Sequence, residues 1–363
     1  MTNPNLDKIV PILAKVVDGQ NLTAQESEKV FTNIFLYDKE GYHLATIIAA
    51  IHAKGETADE LLGFVNTYRK LGARINSLSS DKLIDLSGTG GGTFKTINVS
   101  TTASFIVAAA GYKVAKEAFY GVTSPTGSAD IFLAFGIDIR KISKNVLEKT
   151  IKKVGICPYF GSFLSPSLAN INQIDRKIFV DKRLHIRSPF HLATNIYSPA
   201  LLKYRIYGCY SEKYLEVLGE LFSKLGYERS LVFYGYPGIP EISNVGKTIV
   251  VEQNGKKFKK YILTPSSLGI RRAKPEDIKT GGKEQNIIDF LRILQGKERG
   301  PKADLAAINA AAAFYVLGES ETIASSVPKA LGIIKSGEGF RILERLVQAA
   351  GQPKLLQAWL TKI

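Results

Sequence analysis

The stretch that decides the fold is residues 84–138, IDLSGTGGGTFKTINVSTTASFIVAAAGYKVAKEAFYGVTSPTGSADIFLAFGID. A short apolar piece at 84–86 breaks at Gly88-Thr89-Gly90-Gly91-Gly92. Ser100-Thr101-Thr102 and the apolar run 105–110 follow. This order reads as strand, glycine-rich turn and helix. Four glycines in five positions carry too little side chain to pack a core, and they cost backbone entropy. Bare amides at such a turn, with a helix N-terminus behind them, make a site for phosphate or another anion, although a tight strand-to-helix turn can also be purely structural.

The spacing is not the G-x-G-x-x-G dinucleotide fingerprint. Nor is it a Walker A loop, since Phe94 precedes Lys95-Thr96. A different phosphate compound is expected. A second small polar break, Gly121 to Gly127 with Ser128, follows the apolar stretch 112–115. In an open α/β sheet such breaks collect on one edge, where ligands bind.

Working outward, 363 residues allow one large or two ordinary domains. An apolar content of 45% with 22% charged residues is that of a soluble globular chain. Cys157 and Cys209 make neither a metal pattern nor a disulfide framework and read as buried small side chains in a reducing compartment. No apolar run reaches membrane-spanning length, and MTNPNLDKIV lacks the order of a signal peptide, so a cytoplasmic protein is expected.

The formal charge of +15 is concentrated. Residues 140–187 hold 11 basic and 3 acidic side chains, and residues 247–302 hold 14 and 6, so each window is net +8. Such a field draws in phosphorylated metabolites or a nucleic-acid backbone, or simply keeps the protein soluble.

Residues 1–80 read as four amphipathic helices packed as a bundle, with capping boxes at Thr23/Glu26 and Thr57/Glu60. His43 and His52 lie nine residues apart on this element and read as core or surface residues. From Leu83 onward short strands alternate with helices: strands at 83–86, 112–115, 155–160, 204–210, 231–236 and 249–253, and helices at 100–110, 128–136, 146–153 and 211–224. That alternation predicts an α/β fold, a small helical-bundle lobe plus a larger α/β lobe with a central, mostly parallel sheet. The expected boundaries are 1–80 for the first part of the helical lobe, 81–160 for the first part of the α/β lobe, 161–203 for the return through the helical lobe, and 204–363 for the rest. Two crossings between lobes predict a substrate cleft. Asn254-Gly255 is expected as a two-residue hairpin turn, and an alanine-rich run, 305–317, is expected to pack closely against the sheet.

Lys54-Gly55-Glu56-Thr57, Gly88-Thr89-Gly90-Gly91, Asn98-Val99-Ser100-Thr101, Lys113-Val114-Ala115-Lys116, the Ser124 to Asp130 stretch, Gly238 to Ser243, Thr264-Pro265 and Asn309 to Ala312 occur in one order. In that order the chain resembles the anthranilate phosphoribosyltransferase family from about residue 5 to 350. The resemblance implies the nucleoside phosphorylase/phosphoribosyltransferase type of fold, a homodimer formed through the helical lobe, and displacement of magnesium pyrophosphate from phosphoribosyl pyrophosphate by the amine of anthranilate. It implies substrate contacts at Gly88, Thr89, Gly90, Gly91, Asn98, Ser100, Thr101, Lys116, Ser124 and Ser128, with Lys116 and Arg187 in catalytic roles. Mg2+ would be held at Glu241 and Ser100.

The departures bear on the acceptor. Gly92-Thr93 stands where the family reads Asp-Gly, Glu117-Ala118-Phe119 where it reads His-Gly-Asn, and Pro240-Glu241 where it reads Asp-Glu. Phe119, Arg187 and His191 become the expected acceptor pocket, for an acceptor other than anthranilate. Arg187-Ser188-Pro189-Phe190-His191 is also similar to a basic side branch of the family. That likeness implies a nucleic-acid-binding protein without sequence preference on a degenerate scaffold, and a catalytically inert homologue is the remaining alternative.

Overall fold

The computed structural model describes residues 3–75, 82–121, 126–165, 168 and 189–363. The chain divides into two compact units, residues 1–74 with 161–199 and residues 75–160 with 200–363.

The first unit is helical: α1 (Pro4–Asp7), α2 (Val10–Val17), α3 (Ala24–Tyr37), α4 (Tyr42–Lys54), α5 (Ala58–Leu71) and a short helix, Pro189–Ala193. A single turn, α1, thus precedes the four expected helices, started by the Asn3 side chain and by Pro4 at its first position. Both capping boxes form, each threonine accepting from the glutamate N–H while the glutamate carboxylate accepts from the threonine N–H. A Cβ on Gly63 would overlap Ser27, so α3 and α5 approach at backbone distance, and Ser27 Oγ donates to the Glu60 carbonyl at 2.7 Å. Phe31, Phe35, Phe64 and Tyr68 fill the seam. Phe31 and Phe64 meet edge-on at 4.9 Å between ring centres. The returning segment is sewn to the end of α5, with Ser165 Oγ donating to the Leu71 carbonyl at 2.6 Å and Tyr197 Oη to that of Ala73 at 2.5 Å.

The second unit is built on a seven-stranded sheet: β1 (Leu83–Asp85), β2 (Lys113–Glu117), β3 (Ile156–Tyr159), β4 (Tyr204–Gly208), β5 (Arg229–Gly235), β6 (Thr248–Asn254) and β7 (Lys257–Leu263), in the order β3-β2-β1-β4-β5-β6-β7. The first five strands in that order run parallel, and β6 and β7 extend the sheet antiparallel. The chain winds outward from β1 in one direction through β2 and β3, then in the other through β4 and β5. The boundary between β1 and β4 is therefore the topological switch point, where ligands of open α/β sheets bind.

Helices α6 (Val99–Ala109), α7 (Ser128–Ala134), α8 (Lys144–Val154), α9 (Leu215–Lys224), α10 (Lys283–Leu294), α11 (Pro301–Val316), α12 (Ile323–Ser336), α13 (Glu338–Ala350) and α14 (Pro353–Leu360) complete the unit. The alanine-rich α11 is buried along nearly its whole length and packs on β4 and β5, since small side chains let a helix lie close to the sheet. Helix α6 packs against β2, α11 and α13. The β6–β7 turn is displaced by one residue from the expected position. Asn254 pairs with Lys257, so the turn is Gly255-Lys256, because Gly255 takes the left-handed φ of +57° while Asn254 stays in the ladder. Among the described residues no helix is long and apolar enough to cross a membrane.

Candidate functional site

Strand β1 ends at Asp85, and the glycine turn leaves it at the switch point. Gly88 lies so close to the end of β4 that a Cβ there would overlap the Gly208 carbonyl, and a Cβ on Gly208 would in turn overlap the Pro240 carbonyl. Three chain segments are thus stacked without side chains between them. Hydrogen bonds lock the stack. The Thr89 N–H donates to the Gly208 carbonyl at 2.8 Å, the Tyr210 N–H to Thr89 Oγ1 at 2.9 Å, and the Thr93 N–H to the Gly238 carbonyl at 2.9 Å.

At the tip, Gly90 and Gly91 take φ values of +60° and +72°, which side chains avoid. A Cβ on Gly90 would meet nothing within 4 Å, and the Gly90 N–H donates no hydrogen bond among the described residues. The turn then reaches α6, whose N-cap, Asn98, makes no side-chain cap. The Asn98 N–H donates to Asn286 Oδ1 at 3.1 Å, leaving its Nδ2 buried and without a partner; Thr101 Oγ1, one turn in, is likewise buried and unpartnered. Ser100 is half-buried in the same first turn. An uncapped helix start with orphaned donors beside left-handed glycines suits an anion.

Lys116, from β2, reaches the turn from beneath. Only 2% exposed, its ammonium donates to the Glu117 carbonyl at 2.8 Å and to Ser87 Oγ at 3.2 Å. Burial draws its pKa below the usual lysine range, against the opposing pull of the Asp85 and Glu117 carboxylates. Below it lies a buried ion pair, Arg205 to Asp85, and Asp85 Oδ1 accepts from both the Ser87 N–H at 2.8 Å and the Ser87 hydroxyl at 2.6 Å.

Glu241 sits on the β5–β6 loop, next to the Pro240 that abuts Gly208. Its Oε2 is shut from solvent and has no hydrogen-bond partner. Burial pushes the carboxyl up to about 8, opposed by Lys95. The loop is hung from the core, because Asn309 of α11 accepts from the Ile242 N–H at 3.0 Å and donates to the Ile242 carbonyl at 3.0 Å.

Gly88, Thr89, Gly90, Gly91, Asn98, Ser100, Thr101 and Lys116 therefore belong to one connected piece of the second unit, joined to the Glu241 loop through Gly208 and Gly238. Ser128 and Phe119 pair beyond the end of β2, where Ser128 Oγ accepts from the Phe119 N–H at 3.0 Å and the Phe119 ring meets Phe160 edge-on at 4.9 Å. His191 lies on the short helix of the first unit. Ser124 and Arg187 lie outside the described residues. Asp85, Ser87 and Arg205 are not singled out by the sequence, and Asn309 enters there only as part of a motif, without a role. The signals were there, as an acid and an arginine inside apolar strands and one amide inside an alanine run.

Comparison with known proteins places this geometry among relatives. The family described as glycosyl transferase family, a/b domain, matches residues 80–340, and its helical bundle domain matches residues 10–72. The chain is 36% identical over 333 residues to the anthranilate phosphoribosyltransferase of Methanosarcina mazei, covering 92% of this chain and 87% of that protein. To the protein of the same name from Persephonella marina it is 31% identical over 334 residues, covering 92% and 96%. Among solved structures, anthranilate phosphoribosyltransferase (TrpD) from Thermus thermophilus matches with a TM-score of 0.84 at 29% identity, over 93% of this chain and 98% of that one. The Saccharomyces cerevisiae enzyme in complex with PRPP and Mg shares the fold, with a TM-score of 0.83 at 20% identity over 95% and 98%.

Proposed function

We propose, from the premise that the chain belongs to the anthranilate phosphoribosyltransferase family, that it transfers the phosphoribosyl group of phosphoribosyl pyrophosphate to an acceptor other than anthranilate. One observation carries the donor half: left-handed Gly90 and Gly91 and the uncapped start of α6 stand at the switch point of a parallel sheet. In the reaction the acceptor's nucleophilic atom bonds to the anomeric carbon as the carbon–oxygen bond to pyrophosphate breaks. The leaving group keeps the electron pair and the acceptor gives up a proton. The turn amides, Asn98 Nδ2, the Ser100 and Thr101 hydroxyls and Lys116 would bind the diphosphate and stabilise the charge growing on it. Ser124 and Ser128 are assigned to the ribose phosphate side.

Magnesium, when bound, would offset the charge of the diphosphate. Glu241 and Ser100 would hold it. The orphaned Glu241 Oε2 fits such an ion, and with no cluster of three ligating side chains among the described residues the other ligands would be diphosphate oxygens and water.

For the acceptor, Phe119 stands where the family reads asparagine, and with Phe160 it makes an aromatic edge at the end of β2. Arg187 and His191 are proposed to bind the acceptor. The nucleic-acid reading is set aside because relatives that match over 92% of the chain are anthranilate phosphoribosyltransferases. A homodimer through the helical unit is proposed from exposed apolar side chains there, Val10, Val17, Leu36 and Tyr42.

Isothermal titration with phosphoribosyl pyrophosphate and magnesium tests the donor half, and fluorescence of remaining anthranilate tests the acceptor half. Magnesium-dependent donor binding with anthranilate left unconsumed is expected. No donor binding at millimolar concentration ends the transferase reading, and brisk consumption of anthranilate ends the acceptor reading.

A further inference from the structure

We propose a second anion site on the β5–β6 loop, separate from the glycine turn, that takes a small phosphorylated metabolite. The pairing of Gly235 with Thr248, and of Thr248 with Leu263, brings the start of β6 and the end of β7 to the sheet edge where β5 ends. A pocket of about 300 Å³ opens there, lined by Lys247, Thr264, Pro265, Ser266, Ile270 and Arg272. This is the lower end of the size range of small-molecule sites, roughly 300–1,000 Å³.

Its chemistry is one-sided. No acidic residue lines it. The Arg272 Nε–H donates to the Val245 carbonyl at 2.7 Å, which fixes the guanidinium while its terminal amino groups have no partner among the described residues. The Lys247 ammonium lies over the Tyr236 ring, 4.8 Å from its centre, with no carboxylate in ion-pair range among the described residues. Two cationic side chains on one recess attract an anion to it. The Thr264 and Ser266 hydroxyls hydrogen-bond to each other at 3.1 Å, which leaves one hydroxyl proton of the pair for a phosphate oxygen, and Pro265 and Ile270 offer an apolar wall to the rest of the ligand. Charge-assisted hydrogen bonds to a phosphoester are the match for that set. The loop between β5 and β6 would then carry one anion-linked residue on each side, Glu241 toward the glycine turn and Lys247 toward this pocket.

The test is calorimetric titration of the full chain with inorganic pyrophosphate. The Lys247→Gln/Arg272→Gln variant is compared with Lys256→Gln/Lys257→Gln, which removes the same charge from the exposed β6–β7 hairpin. The first is expected to lose one binding event and the second to keep it. Lys247→Gln alone, which breaks no hydrogen bond, is expected to weaken that event about tenfold, so the test survives should Arg272 prove needed for folding. Because the glycine turn keeps its own residues in every variant, a single wild-type event that vanishes in the first variant still supports this site even if the donor reading has failed. Unchanged titration in Lys247→Gln/Arg272→Gln, or equal loss in the hairpin variant, overturns the proposal.

Discussion

The Arg205 guanidinium donates to Asp85 Oδ2 at 2.8 Å with both side chains wholly buried. The pair ties β4 to β1 across the switch point, and Asp85 passes that tie on to Ser87, whose hydroxyl touches Lys116. The floor of the glycine turn is therefore one polar chain, from a cation on β4 to a cation on β2.

Breaking that chain at one end strands a charge. Arg205→Met should destabilise the protein by about 3–5 kcal/mol, since Asp85 would remain buried without its partner. Asp85→Asn/Arg205→Met should recover much of the loss, because asparagine is neutral and still accepts from Ser87 through Oδ1. Urea midpoints decide the matter, and a double variant no more stable than the single one refutes it.

The glycines of the turn do different jobs. Gly90→Ala meets open space and should cost only about 1–2 kcal/mol for its left-handed backbone, while weakening donor binding. Gly208→Ala drives a methyl into the Pro240 carbonyl and should destabilise more strongly. Equal loss of stability in the two variants would contradict the stacked arrangement.

Glu241 gives stability a pH dependence. Its carboxyl is held up to about 8 by burial, whereas the unfolded chain releases that proton near the ordinary value of 4.5. Between those limits the folded chain holds the extra proton, so each rise in pH favours unfolding, by an amount on the order of a few kcal/mol in all. Wild type should be less stable at about pH 8.5 than at about pH 5.5 by urea titration, and Glu241→Gln should flatten the slope. A slope that persists in the variant places the titration elsewhere.

Val17 and Tyr42, at 61% and 73% exposure, are the test of assembly through the helical unit. Light scattering after size exclusion should report a dimer for wild type and a monomer for Val17→Glu/Tyr42→Glu, with helicity by circular dichroism unchanged. A dimer that survives both charges locates the interface on another surface.

Much of the fold is legible in the sequence. Strand, glycine turn and helix follow from a change of period around Gly88, and the two capping boxes follow from a threonine three residues ahead of a glutamate. The hairpin turn was misplaced by one residue because Asn-Gly marks a turn without saying which of its residues leaves the ladder. The Asp85–Arg205 pair could not be read, since its members lie 120 residues apart and meet only because the strand order makes β4 the neighbour of β1. Lys116 illustrates the same limit. A lysine at a strand end looks displayed to solvent, and burial beneath the turn is decided by what packs around it.

Asn309 holds both backbone groups of Ile242 from inside a helix with almost no solvent-facing side. The carboxylate next along the chain is thereby registered to the deepest layer of the protein and not to its own loop. A repacking of the alanine layer would therefore displace Glu241 at once, even with residues 236–247 unchanged in sequence.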